Sequence, residues 1–221
     1  MCKSTDPKRA LFAELAAVAR ALGHEHRVEL LEHLAQGERS VEALARLTGL
    51  SMANASQHLQ QLRRAGLLDA RRDGKFVLYR LADDGIVQLM SVLRQTAERN
   101  VASVGALLAR YFDGQDGLEP IGRADLGERA QAGLVTVIDV RPREEFDLGH
   151  VPGAVSVPLE ELDARLAEFD PAAEIVAYCR GAYCLLAVEA VARLRAKGFS
   201  ARRMEDGMPE WRAAGLPVAA G

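Results

Sequence analysis

At Asp113-Gly114-Gln115-Asp116-Gly117 the hydrophobic pattern of the chain changes period, and this change constrains the fold more than any other feature. Before that polar, glycine-rich stretch, apolar residues recur mainly at three- and four-residue steps, as amphipathic helices require. After it, short continuous apolar runs alternate with helical stripes, which is the pattern of an open α/β sheet. A chain of 221 residues has room for both. The expectation is two domains, 1–112 and 113–221, joined by a linker at about 113–118.

In the first half, residues 8–21 read as a helix that Gly23 ends. A second helical stripe runs through Val28, Leu31, Leu34 and Ala35 to Gly37. Ser40 is placed to cap a short helix with Val41, Leu44, Ala45 and Leu47 inward, and Ser51 to cap a longer one with Ala55, Leu59 and Leu62 on one face. Two helices joined by the Gly49 turn make a helix-turn-helix candidate. Residues 67–72 and 75–81 then flank Asp73-Gly74, a hairpin signal of the type I′ kind, with Arg71, Arg72 and Lys75 at its tip. Such a charged wing suits a phosphate backbone. From 84 to 111 one long helix is expected. Its stripe of Ile86, Leu89, Leu93, Ala97, Val101, Val104, Leu108 and Tyr111 favours pairing with a second copy over folding back on its own domain.

The charge divides in the same place. Residues 1–112 hold 16 Lys and Arg against 12 Asp and Glu; residues 113–221 hold 12 against 19. A polyanion partner therefore suits the front half. No apolar run approaches the roughly 20 residues that span a bilayer, and Met1 to Asp6 lacks the apolar stretch of a secretory signal. A cytoplasmic protein with no membrane partner is the expectation. Three cysteines make a disulfide framework an unsuitable reading. Cys179 and Cys184 are five apart, which points to chemistry rather than zinc pairing. His24, His26 and His33 lack a completing ligand set and read as surface histidines, so neither metal nor cofactor is expected.

In the second half, strands are expected at 134–140, 174–178 and 200–204, with helices at 159–169, 184–197 and 207–214. Cys179 ends the second of these strands, at the carboxyl edge where open α/β sheets hold ligands. Arg180, Gly181, Ala182 and Tyr183 form a short loop before a helix. Loop amides, the helix N-terminus and the Arg180 charge would lower the pKa of a thiol there, and the thiolate is the nucleophile.

Residues 51–68, SMANASQHLQQLRRAGLL, resemble the recognition helix of the ArsR-type repressors, and the order of helices, wing and last helix over 8–111 matches as well. The resemblance implies a mainly-α winged helix-turn-helix with a β-hairpin wing, binding operator DNA as a homodimer. Asn54 and Gln57 would read base edges. Ser51, Ser56, His58, Gln60, Arg63, Arg64, Arg71, Arg72 and Lys75 would position the backbone or the helix. The family's metal sensors are missing: the helix at 40–48 has no cysteine and 84–111 no histidine. Persulfide-sensing relatives use two cysteines in this domain, which offers only Cys2.

Three further segments resemble rhodanese domains: Val137-Ile138-Asp139-Val140-Arg141 with the following Gly149-His150-Val151-Pro152-Gly153-Ala154, then the Cys179–Cys184 loop, then Asp206-Gly207-Met208-Pro209-Glu210-Trp211. The resemblance implies a mostly parallel five-stranded sheet with helices on both sides and a Cys179 persulfide. It also implies fold support from Asp139, Arg141, His150 and Trp211. Cys184 departs from the common pattern; it either resolves a Cys179 persulfide or packs at the helix start. Three functions remain open on these residues. The first is a regulator, most simply a repressor, that senses reactive sulfur through Cys179. The second is a thiosulfate or persulfide sulfurtransferase whose DNA module regulates its own gene. The third is a sensor of arsenic-type thiophilic ligands.

Overall fold

The computed structural model describes residues 6–111 and 120–220, with the side chain of Tyr111 left aside. The expected linker at 113–118 and Cys2 lie outside the described residues. The chain divides into two compact units, residues 1–86 and 87–221.

The first unit opens with α1 (Pro7–Leu22), whose Asp6 cap accepts the Lys8 N–H, and α2 (Glu25–Ala35). A two-residue strand β1 (Arg39–Ser40) leads into α3 (Val41–Thr48), capped by the Ser40 hydroxyl. Gly49 makes the turn, at φ +66°, to α4 (Met52–Arg64), capped by Ser51. Of the residues the periodicity selects, Leu31, Leu34, Val41, Leu44, Ala45, Ala55, Leu59 and Leu62 are buried, whereas Leu47, expected inward, is 43% exposed, and Leu30, outside the expected stripe, is buried. Strands β2 (Leu68–Asp73) and β3 (Phe76–Leu81) form the antiparallel hairpin, and β1 pairs with β3 on its other edge.

The hairpin turn differs from the expected one by a residue. Asp73 pairs with Phe76, so the two central residues are Gly74 and Lys75, and positive φ occurs only at Gly74, at +58°. That is the pattern of a glycine-first turn, not of the type I′ turn, which needs positive φ at both positions. Lys75 carries a Cβ and keeps to the allowed side.

The expected single helix over 84–111 is two, α5 (Gly85–Asn100) and α6 (Ala102–Tyr111), separated at Val101. Ahead of the break, the Thr96 hydroxyl donates to the Val92 carbonyl and the Asn100 amide to the Thr96 carbonyl. Side chains that bond carbonyls four residues back compete with the backbone ladder and bend a helix.

The second unit holds α5 from Val87 onward together with an α/β body. This body comprises α7 (Arg123–Gln131), β4 (Val135–Asp139), α8 (Arg143–Leu148), β5 (Val155–Ser156), α9 (Leu162–Arg165) with a 3-10 turn over Leu166–Glu168, β6 (Glu174–Tyr178), α10 (Leu185–Ala196), β7 (Ala201–Arg203) and α11 (Met208–Ala213). The sheet is parallel, in the order β5-β4-β6-β7. It has four strands among the described residues where five were expected. The fifth place, beside β7, is held by a single parallel bridge between Ile121 and Met204.

Alternation along the strands builds two cores. Ile138, Ile175 and Ala177 face α10, with Val191 and Leu194 against them, and Cys179 continues that face. Val137, Val176 and Tyr178 face the other way, against Leu126, Met208 and Trp211.

One buried ion pair ties the carboxyl end of this sheet. Arg141 and Asp139 are 1% and 0% exposed, and the guanidinium meets the carboxylate in a fork of 3.0 and 2.7 Å. Its Nη2 also donates to the Gly149 carbonyl at 2.7 Å. Removing one partner of such a pair strands the other charge in the core. Arg141→Met is expected to destabilise the second unit by about 3–5 kcal/mol, read as a lowered midpoint in urea unfolding; an unchanged midpoint would show that the pair adds nothing.

Candidate functional site: a recognition helix and a cysteine loop

In the first unit the candidate DNA face is α4 with the wing. Burial of Ala55, Leu59 and Leu62 turns the opposite side of α4 outward. Ser51, Asn54, Gln57, Gln60, Arg63 and Arg64 are exposed, and Ser56 and His58 are half-buried. The Ser51 hydroxyl accepts the Asn54 N–H at 3.2 Å, so its first task is to start the helix. The Gln60 amide reaches the Ser56 hydroxyl at 3.4 Å. At the wing, Arg72 and Lys75 are exposed, and Lys75 lies over the Phe76 ring. Arg71, expected at the wing tip to face a phosphate backbone, is paired within the protein. Glu38 takes its guanidinium at 2.6 to 3.0 Å, and Asp73 adds a contact at 3.4 Å.

Sequence reasoning grouped His24 and His26 with His33. The fold groups them with His58 instead, with ring centroids 4.5 to 5.9 Å apart. The reason is that α4 crosses the start of α2, a tertiary contact with no sequence signal. Among the described residues no set of three His, Cys, Asp or Glu is arranged to hold a metal ion. Burial, and then the neighbouring His24, Arg27 and His26, lower the pKa of His58. Its neutral form is thus favoured in the fold, and the unfolded chain binds more protons below the ordinary histidine pKa of about 6.5. The first unit is expected to lose stability as pH falls through that value. His58→Gln should flatten this acid slope in thermal melts between pH 7 and 5; an equally steep slope in the variant would assign it to other groups.

In the second unit Cys179 follows directly on β6, and the loop 180–183 leads to Cys184, the N-cap residue of α10. The loop is tight: the Cys184 N–H donates to the Gly181 carbonyl at 3.0 Å, and the two Cα atoms are 6.4 Å apart. This brings the two sulfurs together as a disulfide. The Cys179 sulfur also faces the Cys184 carbonyl, 3.7 Å away. Arg180 points to a buried carboxylate, with Nε and Nη2 meeting Glu145 at 2.9 to 3.2 Å. Its charge is therefore shared with Glu145 rather than given wholly to the sulfur.

Two supports of the loop were not singled out. The Met208 N–H donates to the Cys179 carbonyl at 3.1 Å. Gly207 lies so close that a Cβ there would meet Arg180 and Gly181 backbone atoms at 2.3 Å. The loop thus sits flush on the start of α11, where Glu210 accepts the Gly207 N–H at 3.1 Å and is itself raised in pKa by burial. The Gly207-Met208-Pro209 string carried this only as part of a motif. Asp139, Arg141, His150 and Trp211 fill structural roles: His150 stacks on Phe146 with centroids 3.7 Å apart, and the Trp211 indole N–H donates to the Pro217 carbonyl at 2.7 Å.

Residues 123–214 match the rhodanese-like domain family and residues 22–71 a helix-turn-helix domain family. An HTH-type transcriptional regulator of Mycobacterium tuberculosis, Rv0324, is 44% identical over 218 residues, covering 99% of this chain and 96% of its own. The chain belongs to the HTH-type transcriptional regulators and carries a C-terminal rhodanese-like domain. Shorter relatives resemble the front of this regulator. The biofilm growth-associated repressor of Agrobacterium fabrum is 41% identical over 86 residues, 39% of this chain and 72% of its own. Among solved structures, the homodimeric winged helix-turn-helix domain of a possible ArsR-family regulator from Mycobacterium bovis is 39% identical. It covers 46% of this chain and 94% of its own, with a TM-score of 0.42. No helix among the described residues of the regulator is long and apolar enough to cross a membrane.

Proposed function

We propose that this regulator binds operator DNA as a homodimer and responds to reactive sulfur, a persulfide or polysulfide, through Cys179. The observation that carries the reading is the meeting of Cys179 and Cys184 at the end of β6, in a chain whose DNA module has neither the cysteine pair nor the histidine set of its metal-sensing kin.

The chemistry balances on these two residues. The Cys179 thiolate attacks the sulfane sulfur of a persulfide R–S–SH, which forms Cys179–S–SH and releases R–S⁻. The Cys184 thiolate then attacks the Cys179 sulfur. A Cys179–Cys184 disulfide forms and HS⁻ leaves. The two cysteines are oxidised by two electrons and the sulfane sulfur is reduced. The short loop favours the second step because the attacking sulfur is already adjacent.

On the DNA side, Asn54 and Gln57 are the proposed base readers, exposed on the outward side of α4. Arg63, Arg64, Arg72 and Lys75 are the proposed phosphate contacts, with Ser51, Ser56, His58 and Gln60 setting the helix. Arg71 would have to leave Glu38 to join them. The proposed dimer face lies along α5 and α6, where Leu89, Val92, Leu93, Val101 and Leu107 are exposed. The proposed division of labour is residues 1–112 for DNA binding and dimerisation and 113–221 for sulfur. A cytoplasmic regulator, repressing in the manner of its relatives, completes the reading.

Two measurements test it, both on duplexes that the full chain enriches from a randomised library. Arg72→Ala with Lys75→Ala should weaken all sequences alike and lower the salt slope by about two, roughly one per lost phosphate contact. Gln57→Ala should instead relax preference at one base pair. A salt slope equal to wild type would remove the wing from the interface. Treatment with sodium polysulfide should change wild-type affinity by about 5–150-fold, and Cys179→Ser should lose the response. Unchanged wild-type affinity after mass spectrometry has confirmed the Cys179 modification would sink the sensor reading. Sustained transfer of sulfur from thiosulfate to cyanide would then favour an enzyme.

A further inference from the structure

The cysteine loop is held from outside by α5, within the second unit. The Tyr183 hydroxyl, next in sequence to Cys184, donates to Glu98 Oε1 at 2.8 Å. Arg94 meets the same Glu98 oxygen at 3.1 Å and lies 5.8 Å from the centre of the Tyr183 ring. Its other nitrogen reaches Asp206 at 3.3 Å, and Arg123 closes on the second Asp206 oxygen. Asp206 immediately precedes Gly207 and Met208, the residues that lie flush under the Cys179 carbonyl and the Arg180 backbone. Two neighbouring positions of one helix thus grip both walls of the cysteine loop.

The charged members of this group are largely buried, while Tyr183 is 41% exposed. The side chains of Arg94, Glu98 and Asp206 are 15%, 25% and 10% exposed. Burial and then the bond to Glu98 hold the Tyr183 hydroxyl protonated, with its pKa pushed up to about 12, so it remains a donor across the physiological range.

We infer that Arg94 and Glu98 are positioning residues for the Cys179–Cys184 loop, and that Tyr183 reports the state of the cysteine pair to α5. Forming or opening the pair moves Cys184, and Tyr183 is bonded to it through a single peptide. A Tyr183 that keeps its bond to Glu98 in only one cysteine state makes that state and the helix position mutually favourable. The coupling is reciprocal, so whatever moves α5 also shifts the cysteine equilibrium. This inference rests on the proposed sensing role of Cys179 for its meaning, but not for its test.

The test uses the full chain as wild type, Tyr183→Phe, Glu98→Gln and the double variant. Each is equilibrated in buffers of reduced and oxidised dithiothreitol, and the Cys179–Cys184 pair is quantified by alkylation and mass spectrometry. Tyr183→Phe keeps the ring beneath Arg94 and removes only the donor. Either single variant should shift the thiol–disulfide equilibrium by about three- to tenfold, the scale of a typical net hydrogen bond. The double variant should shift it by less than the sum of the two single variants, because Tyr183→Phe removes the donor of this bond and Glu98→Gln the charge of its acceptor. Equal equilibria in all four proteins, additive shifts, or a wild type that forms no pair at any buffer ratio would overturn the inference. DNA binding separates the two failures. A wild type whose DNA affinity ignores polysulfide, with the equilibrium still shifted in the variants, overturns the sensor reading alone. A polysulfide response of equal size in wild type and Glu98→Gln overturns the coupling alone.

Discussion

The fork between Arg141 and Asp139 is the interaction on which the sulfur end of this protein depends. Two charges out of water are tolerable only when each finds partners for its remaining donors and acceptors. Here Asp139 also takes the Arg141 backbone N–H at 3.0 Å, and Arg141 also holds the Gly149 carbonyl. The pair therefore fixes the last residue of β4, the turn that follows and the end of α8 in one network. Tyr178 closes it from β6, with its ring 5.8 Å from the guanidinium and its hydroxyl accepting the Val151 N–H at 3.1 Å. Burial, with Asp139 beside it, drives the Tyr178 pKa upward and keeps the phenol neutral. Cys179 is the next residue, so the position of its sulfur is inherited from this network.

From that fixed strand end, the chemistry follows from how little room the loop has. Gly207 can lie against Arg180 and Gly181 only because it has no Cβ. The backing from Met208 and the turn from Gly181 to Cys184 leave the second sulfur beside the first. An arrangement of two cysteines across one tight turn suits a switch between two covalent states. The Glu145 carboxylate on Arg180 moderates the positive potential that a thiolate would otherwise receive.

The DNA module is organised by a different rule. Its core is aliphatic and periodic, and the recognition helix is set by three apolar residues, Ala55, Leu59 and Leu62, each fully buried. Their burial determines which polar residues face outward without any one of them being specified by a bond. A surface chosen in this way can change its base readers while the fold stays the same, since exposed positions carry little stability.

Helix stripes, caps and strand runs were legible in the sequence because each is a local property. Ser40 and Ser51 cap the helices they precede, and β6 runs from Glu174 to Tyr178 as its apolar run predicts. The motif strings likewise pointed to Cys179 and its loop, since the residues of the loop are consecutive. What the sequence left open includes two local shifts and several partners distant along the chain. The one-residue shift of the wing turn was decided by strand register, and the apolar stripe over 84–111 does not mark the break at Val101. The meeting of His58 with His24 and His26, the capture of Arg71 by Glu38 and of Arg180 by Glu145, and the hold of Glu98 on Tyr183 all join residues more than 30 positions apart. A charged side chain in a sequence shows only that it needs a partner; the packing of hydrophobic faces brings a particular partner within reach, and so tertiary structure alone decided which charges remain free to act.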